Sequence, residues 1–173
     1  MIETEKEKEN YTGFDGKGWL CSECGEVIKK AEDGWVEWLN TPIDDPEHDY
    51  RGSGLRLVHH LPASPRKLKR EMGCQYNGNV EFQKNRSLVS DNSLSDFVGA
   101  DGLMQLLAML AENKMSRKEV LELTKRIHIP GYERAHLHFN EAISEGVYEP
   151  NTVVGYPFQY QIRAINNWLA EQE

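Results

Sequence analysis

Apolar and polar positions change period once along this chain. From Gly18 to about Phe82, short runs rich in β-formers are separated by turn signals. They are GWL, then WVEWL after Asp33-Gly34, LRLVHHL after RGSG, and VEF after Asn77-Gly78. Such runs, bounded by Gly, Asn and Asp, predict short strands joined by tight turns. Further on, Leu103, Leu106, Leu107 and Leu110 recur at helical spacing, which predicts an amphipathic helix. A second helix opens with Ser116 and Glu119 at capping-box spacing and keeps Val120, Leu121 and Leu123 for packing. Pro130-Gly131 breaks the chain. A third helix follows, with Ala135, Phe139, Ala142 and Ile143 on one face and Gly146 as its cap. The last helix offers Tyr160, Ile162, Ile165, Trp168 and Leu169 for burial.

These patterns divide the chain. Residues 1–16 are charged and poor in apolar side chains, the signature of a solvated tail. Residues 17–83 read as a β-rich module, and the polar stretch KNRSLVSDNSLSD, Lys84 to Asp96, as a linker. Residues 97–173 read as a helical domain. The expected class is α+β, a small β-rich module followed by helices.

Composition narrows the field. Of 173 residues, 39% are hydrophobic and 28% charged, a folded composition of one or two small domains. The formal net charge of -8 repels polyanions unless basic residues are concentrated locally. No apolar run reaches the length of a membrane span, and MIETEKEKEN lacks the hydrophobic stretch of a signal peptide. A cytoplasmic protein without a membrane partner is expected. In that reducing compartment, three cysteines suggest metal or redox chemistry more than disulfides.

Cys21 and Cys24 stand two residues apart and are followed by Gly25. A zinc knuckle needs this spacing to aim both sulfurs at one ion, with a small residue after the second. Two further ligands are required, and the chain offers Cys74 with His59 or His60. Strand alternation places His59 with Leu55, Leu57 and Leu61, which favours His59 over His60. Four protein ligands make a closed, structural Zn2+ site that holds together a module with a small core. Free thiols are the bland alternative. A redox pair would want a helix start within a βαβ pattern, and Gly25 in β-rich surroundings argues otherwise.

Two other features suggest metal chemistry and are read down. LVHHLP resembles the histidine pair of an HNH-type nuclease, which would imply metal-dependent hydrolysis. That chemistry wants further ligands from the next helix, but ASPRKLKREMGC follows with no histidine until His128. The acidic loop DDPEHD, Asp44 to Asp49, lacks a calcium-loop glycine pattern and reads as solvated.

The succession of helices from Asp101 to Tyr156 resembles a winged helix-turn-helix. The resemblance implies a recognition helix ending in EGVYE, a wing near NTVVGYP, and Arg134, Leu137 and His138 on the outward face. The extra terminal helix with Trp168 would close the core or pack a dimer. DNA reading meets an electrostatic obstacle: Ser93 to Pro150 carries six basic and nine acidic residues. Glu133, Glu141 and Glu145 all oppose phosphates. The best basic run, Arg66, Lys67, Lys69 and Arg70, lies in the other half. The expectation is therefore a non-catalytic zinc-containing adaptor or inhibitor that binds a protein partner or a second copy. A sequence-specific DNA-binding regulator is the alternative, and the nuclease comes third.

Overall fold

The computed structural model describes residues 18–46, 49–150 and 153–172. The charged tail, Glu47 and His48 of the acidic loop, and Asn151 and Thr152 of the expected wing lie outside them. Helix and sheet are mixed in an α+β arrangement. A two-residue hairpin comes first, β1 (Trp19–Leu20) against β2 (Val27–Ile28). Next come β3 (Gly34–Pro42) and β4 (Tyr50–His59), a helix α1 (Gly78–Asn85), and β5 (Leu88–Ser93). These strands form one antiparallel sheet in the order β4-β3-β5. The helices α2 (Gly99–Glu112), α3 (Arg117–His128), α4 (Tyr132–Ala135), α5 (Phe139–Ser144) and α6 (Gln159–Ala170) complete the described chain. None is long and apolar enough to cross a membrane.

The stretch expected as a linker differs most from its reading. Lys84 to Asp96 holds the end of α1, all of β5 and a 3-10 turn, and β5 runs in register with β3 from Leu88↔Asn40 to Ser93↔Trp35. Most of its partners on β3 are apolar, Trp35, Val36, Trp38 and Leu39, and polar pairing is confined to the end near Asn40 and Thr41. Asn40 donates to Ser90 Oγ at 2.7 Å, and the Thr41 and Ser87 hydroxyls lie 2.6 Å apart. Serine and asparagine were therefore satisfied across the sheet and not only by water.

Burial divides the described chain further on. Trp19, Ile28, Val36, Leu57 and Val58 share one core with Leu94, Phe97 and Val98, and with Leu106, Val120, Leu123 and Ile127 of α2 and α3. The β-rich part and the first two long helices thus bury one another. A second core of Tyr132, Ala135, Ala142, Ile162, Ile165 and Leu169 begins only after the Pro130-Gly131 turn. Gly102 lets α2 approach the chain here, since a Cβ would lie 2.1 Å from the Phe97 carbonyl carbon.

Three local details depart from the pattern-based expectation, the first being VEF, expected as a strand after Asn77-Gly78, which lies in α1 where the Asn77 side chain caps the N–H groups of Asn79 and Val80. Ser116 makes no side-chain cap, and the Glu119 carboxylate instead accepts the N–H groups of Gly54 and Leu55 at 3.3 and 3.4 Å. Those groups are available because β4 bulges there: Glu37 opposes Arg56 and Leu39 opposes Ser53, with Gly54 at φ +66 in between. The expected single helix after Gly131 is split by a 3-10 turn at His136–His138. A 3-10 turn advances each residue further around the axis than an α-helix does. Ala135 and Ala142 still face the core, but Ile143 turns out to 38% exposure. No strand follows α5 among the described residues, so Val147 and Tyr148 do not start a wing there.

Candidate metal centre

The sulfurs of Cys21, Cys24 and Cys74 and a ring nitrogen of His59 lie within 4.8 Å of one another. Local chain chemistry delivers each one. Gly18 (φ +97) opens the first hairpin where a Cβ would collide with the Ile28 carbonyl oxygen at 2.0 Å. The turn between β1 and β2 closes through Gly25 N–H to the Cys21 carbonyl and Cys21 N–H to the Glu26 carbonyl, both 2.9 Å. Gly25 takes φ +78, a left-handed conformation that glycine adopts without strain. Cys21 and Cys24 are thereby presented from one tight turn. His59 ends β4, and Cys74 follows Gly73 in the loop after it.

His60 lies elsewhere. Its backbone N–H donates to the Asp33 carbonyl at 2.8 Å, and its ring stacks on Trp35 at 4.4 Å between centroids and 11° between planes. The strand end is buried on both faces, with Leu57, Val58 and His59 all in the interior. Alternation alone was therefore a weak guide, although the residue it favoured is the one in the group.

The donor set suits a metal. Cys24 Sγ lies 3.5 Å from His59 Nδ1. A tetrahedral zinc with Zn–S of about 2.3 Å and Zn–N of about 2.0 Å separates sulfur from nitrogen by about 3.5 Å. Cys21, His59 and Cys74 are buried, and Cys24 is partly so. Burial pushes the Cys24 thiol up to about 12, only partly opposed by the Glu26 N–H, with the Cys21 and Cys74 sulfurs adding to the rise. Crowded thiols of this kind stay protonated unless a cation replaces their protons. Ser64, itself buried, donates to Cys74 Sγ at 3.1 Å and stabilises negative charge on that sulfur.

A charge network surrounds the group, and it absorbs much of the expected basic patch. Glu23, inside the Cys-x-x-Cys turn, accepts from Arg56 at 3.0 Å, Arg66 at 2.9 Å and Arg70 at 2.5 Å. Burial works to raise its carboxyl, but the Arg70 hydrogen bond and the three guanidinium charges outweigh this and hold it below the usual range. Arg56 also bonds the fully buried Glu37 and the Cys74 carbonyl, and it lies 3.5 Å over the Tyr76 ring. Lys67 donates to the Pro62 carbonyl at 2.7 Å, while Lys69 is exposed. Of the four basic residues, two are bound to one carboxylate.

The expected partner-binding residues are dispersed. Arg134 is half-buried in α4. Leu137 is 60% exposed in the 3-10 turn, and His138 bonds Glu141 at 3.1 Å. Trp168 packs against the second core. Glu133, read as a surface charge opposing phosphate, is instead wholly buried and paired with Arg126 at 2.6 Å. Neither Arg126 nor Ser64 stood out in the sequence: Arg126 reaches Ser22 and Leu20 across 104 and 106 residues, and Ser64 meets Cys74 only through the fold of the intervening loop. Glu23 carried no pattern signal, because its partners Arg56, Arg66 and Arg70 stand 33, 43 and 47 residues away. The chain matches no family model, no curated protein and no solved structure.

Proposed function

We propose that this chain is a non-catalytic binding protein, organised by one structural zinc ion held by Cys21, Cys24, His59 and Cys74, that acts on a protein partner as an adaptor or inhibitor. The observation that carries this reading is the closed donor set of three sulfurs and one imidazole nitrogen, mostly buried. That set matches the structural zinc class, and four protein ligands leave no position for substrate. Three thiolates around Zn2+ give the centre a net negative charge. The guanidinium groups of Arg56, Arg66 and Arg70 outnumber the carboxylates of Glu23 and Glu37 and offset it.

Nuclease chemistry finds no support, because the one metal-ligating group among the described residues is closed and no second group accompanies it. A protein partner is favoured over DNA by electrostatics. The net charge is -8, and Arg66 and Arg70 already engage Glu23. An electrophoretic shift assay with duplex DNA at two salt concentrations separates the readings. The adaptor reading expects no retardation at about 150 mM salt. Retardation that weakens steeply with salt and prefers one base sequence would transfer the protein to the regulator class.

A further inference from the structure

We propose that the metal centre is a latch for the C-terminal helical unit: zinc in the site fastens α4 to α6 onto the rest of the fold, and its loss loosens them. The inference rests on the zinc reading above. Its basis is the way Cys21 is held on both sides. Leu20, one residue before it, donates its N–H to Glu133 Oε1 at 2.8 Å and accepts from Arg126 Nη2 at 2.7 Å through its carbonyl. Ser22, one residue after it, accepts from Arg126 Nη1 at 3.1 Å through Oγ. Arg126 in turn grips Glu133 through Nε at 2.8 Å and Nη2 at 2.6 Å. An ion pair therefore reads the backbone immediately around a metal ligand.

Glu133 lies in α4 between Tyr132 and Ala135, both part of the second core, and none of its surface is exposed. Its charge is tolerable there only while its hydrogen bonds are complete. β1 is also placed by Trp19 in the first core, by its pairing with β2 and by the Ser22 N–H bond to the Leu57 carbonyl at 2.8 Å, so without metal at Cys21 the Leu20 amide is displaced part of the time and not freed outright. The Glu133 carboxylate then loses a donor, and Arg126 loses acceptors. Other contacts tie α3 to the same unit without touching the cysteine turn. Lys125 bonds the Gly155 carbonyl at 2.8 Å, and the Tyr132 hydroxyl donates to Glu122 at 3.1 Å. These remain, so the unit loosens without detaching. By thermodynamic reciprocity, docking of α4 must raise zinc affinity by the same factor that zinc strengthens docking.

Hydrogen exchange on the full chain, zinc-loaded and chelator-stripped, with zinc content measured on each sample, tests this. In the wild type, zinc should slow exchange across residues 132–144 and 159–170 by about tenfold or more. In the Arg126→Gln/Glu133→Gln double variant, which leaves no lone buried charge, zinc should still bind but more weakly, and should no longer slow those amides. Ser22→Ala removes one clamp bond at the surface and should give an intermediate effect should the double variant fail to fold. If zinc binds and slows residues 19–28 while residues 132–170 are unaffected, the latch is wrong and the metal reading stands. A double variant with the full wild-type response to zinc also overturns the latch. A chain that takes up no zinc removes both readings, and the metal analysis shows that directly.

Discussion

Ser64 and Cys74 are both buried, and the serine hydroxyl donates to the cysteine sulfur at 3.1 Å. The serine stands ten residues before the cysteine, brought to it by Gly73, where a Cβ would lie 2.7 Å from Ser64 Oγ. A donor aimed at a ligand sulfur stabilises its thiolate form. Ser64→Ala should therefore weaken zinc by about tenfold or more, with stoichiometry unchanged, in competition titrations against a chromophoric chelator. Unchanged affinity would reduce Ser64 to a packing role.

Cys24→Ser removes one ligand of the group. Structural zinc binding contributes about 10–16 kcal/mol, whereas whole domains are stable by about 5–15 kcal/mol, so losing the metal should cost much of the stability of the core that it braces. Because the first core joins the β-rich part to α2 and α3, that loss should reach beyond the sheet. Thermal melts followed at the helical circular dichroism band should show a lower midpoint in the variant, with the helices still formed at about 25 °C. An unchanged midpoint would mean that α2 and α3 are stable without the cysteine module.

Glu37 gives a pH test with a definite sign. Burial raises its carboxyl above the ordinary value of 4.5, against the pull of the Tyr76 N–H and Arg56. A carboxyl raised on folding holds its proton more tightly in the folded state, so its ionisation costs stability as pH rises through that region. Glu37→Gln titrates no proton there. The stability of the wild type relative to the variant should therefore be greater near pH 5 than near pH 8, by denaturant titration of zinc-loaded samples. A relative stability that grows with pH would contradict the assignment.

Glu23 masks basic surface. Glu23→Gln frees Arg66 and Arg70, whose side chains are already 35% and 57% exposed. The variant should elute from a heparin column at higher salt than the wild type. Identical elution would show that the acidic remainder of the molecule, and not Glu23, keeps polyanions away.

The clustering of Cys21 and Cys24 was legible in sequence because spacing carries it: they sit in a turn whose geometry Gly25 makes inexpensive. Cys74 and one of His59 or His60 followed from the need for four donors, and strand alternation favoured His59 only slightly. The helices α2 and α3 were legible from period, with Leu106, Val120 and Leu123 buried, whereas VEF, read as a strand from its β-formers, lies in α1. What stayed hidden depends on partners far along the chain. Polar β5 looks like a linker until Asn40 and Thr41 are placed beside it. Glu133 looks like a surface charge until Arg126 and the Leu20 amide surround it. Glu119 looks like a capping residue until the β4 bulge frees two N–H groups for it.

The most direct test of the account is the metal content of the untagged protein, purified without chelators and weighed intact under native conditions. A structural zinc centre at Cys21, Cys24, His59 and Cys74 requires about one zinc per chain, lost on Cys24→Ser and on His59→Ala but retained on His60→Ala. A wild-type chain that carries no metal, folds stably and takes up no added zinc would contradict it.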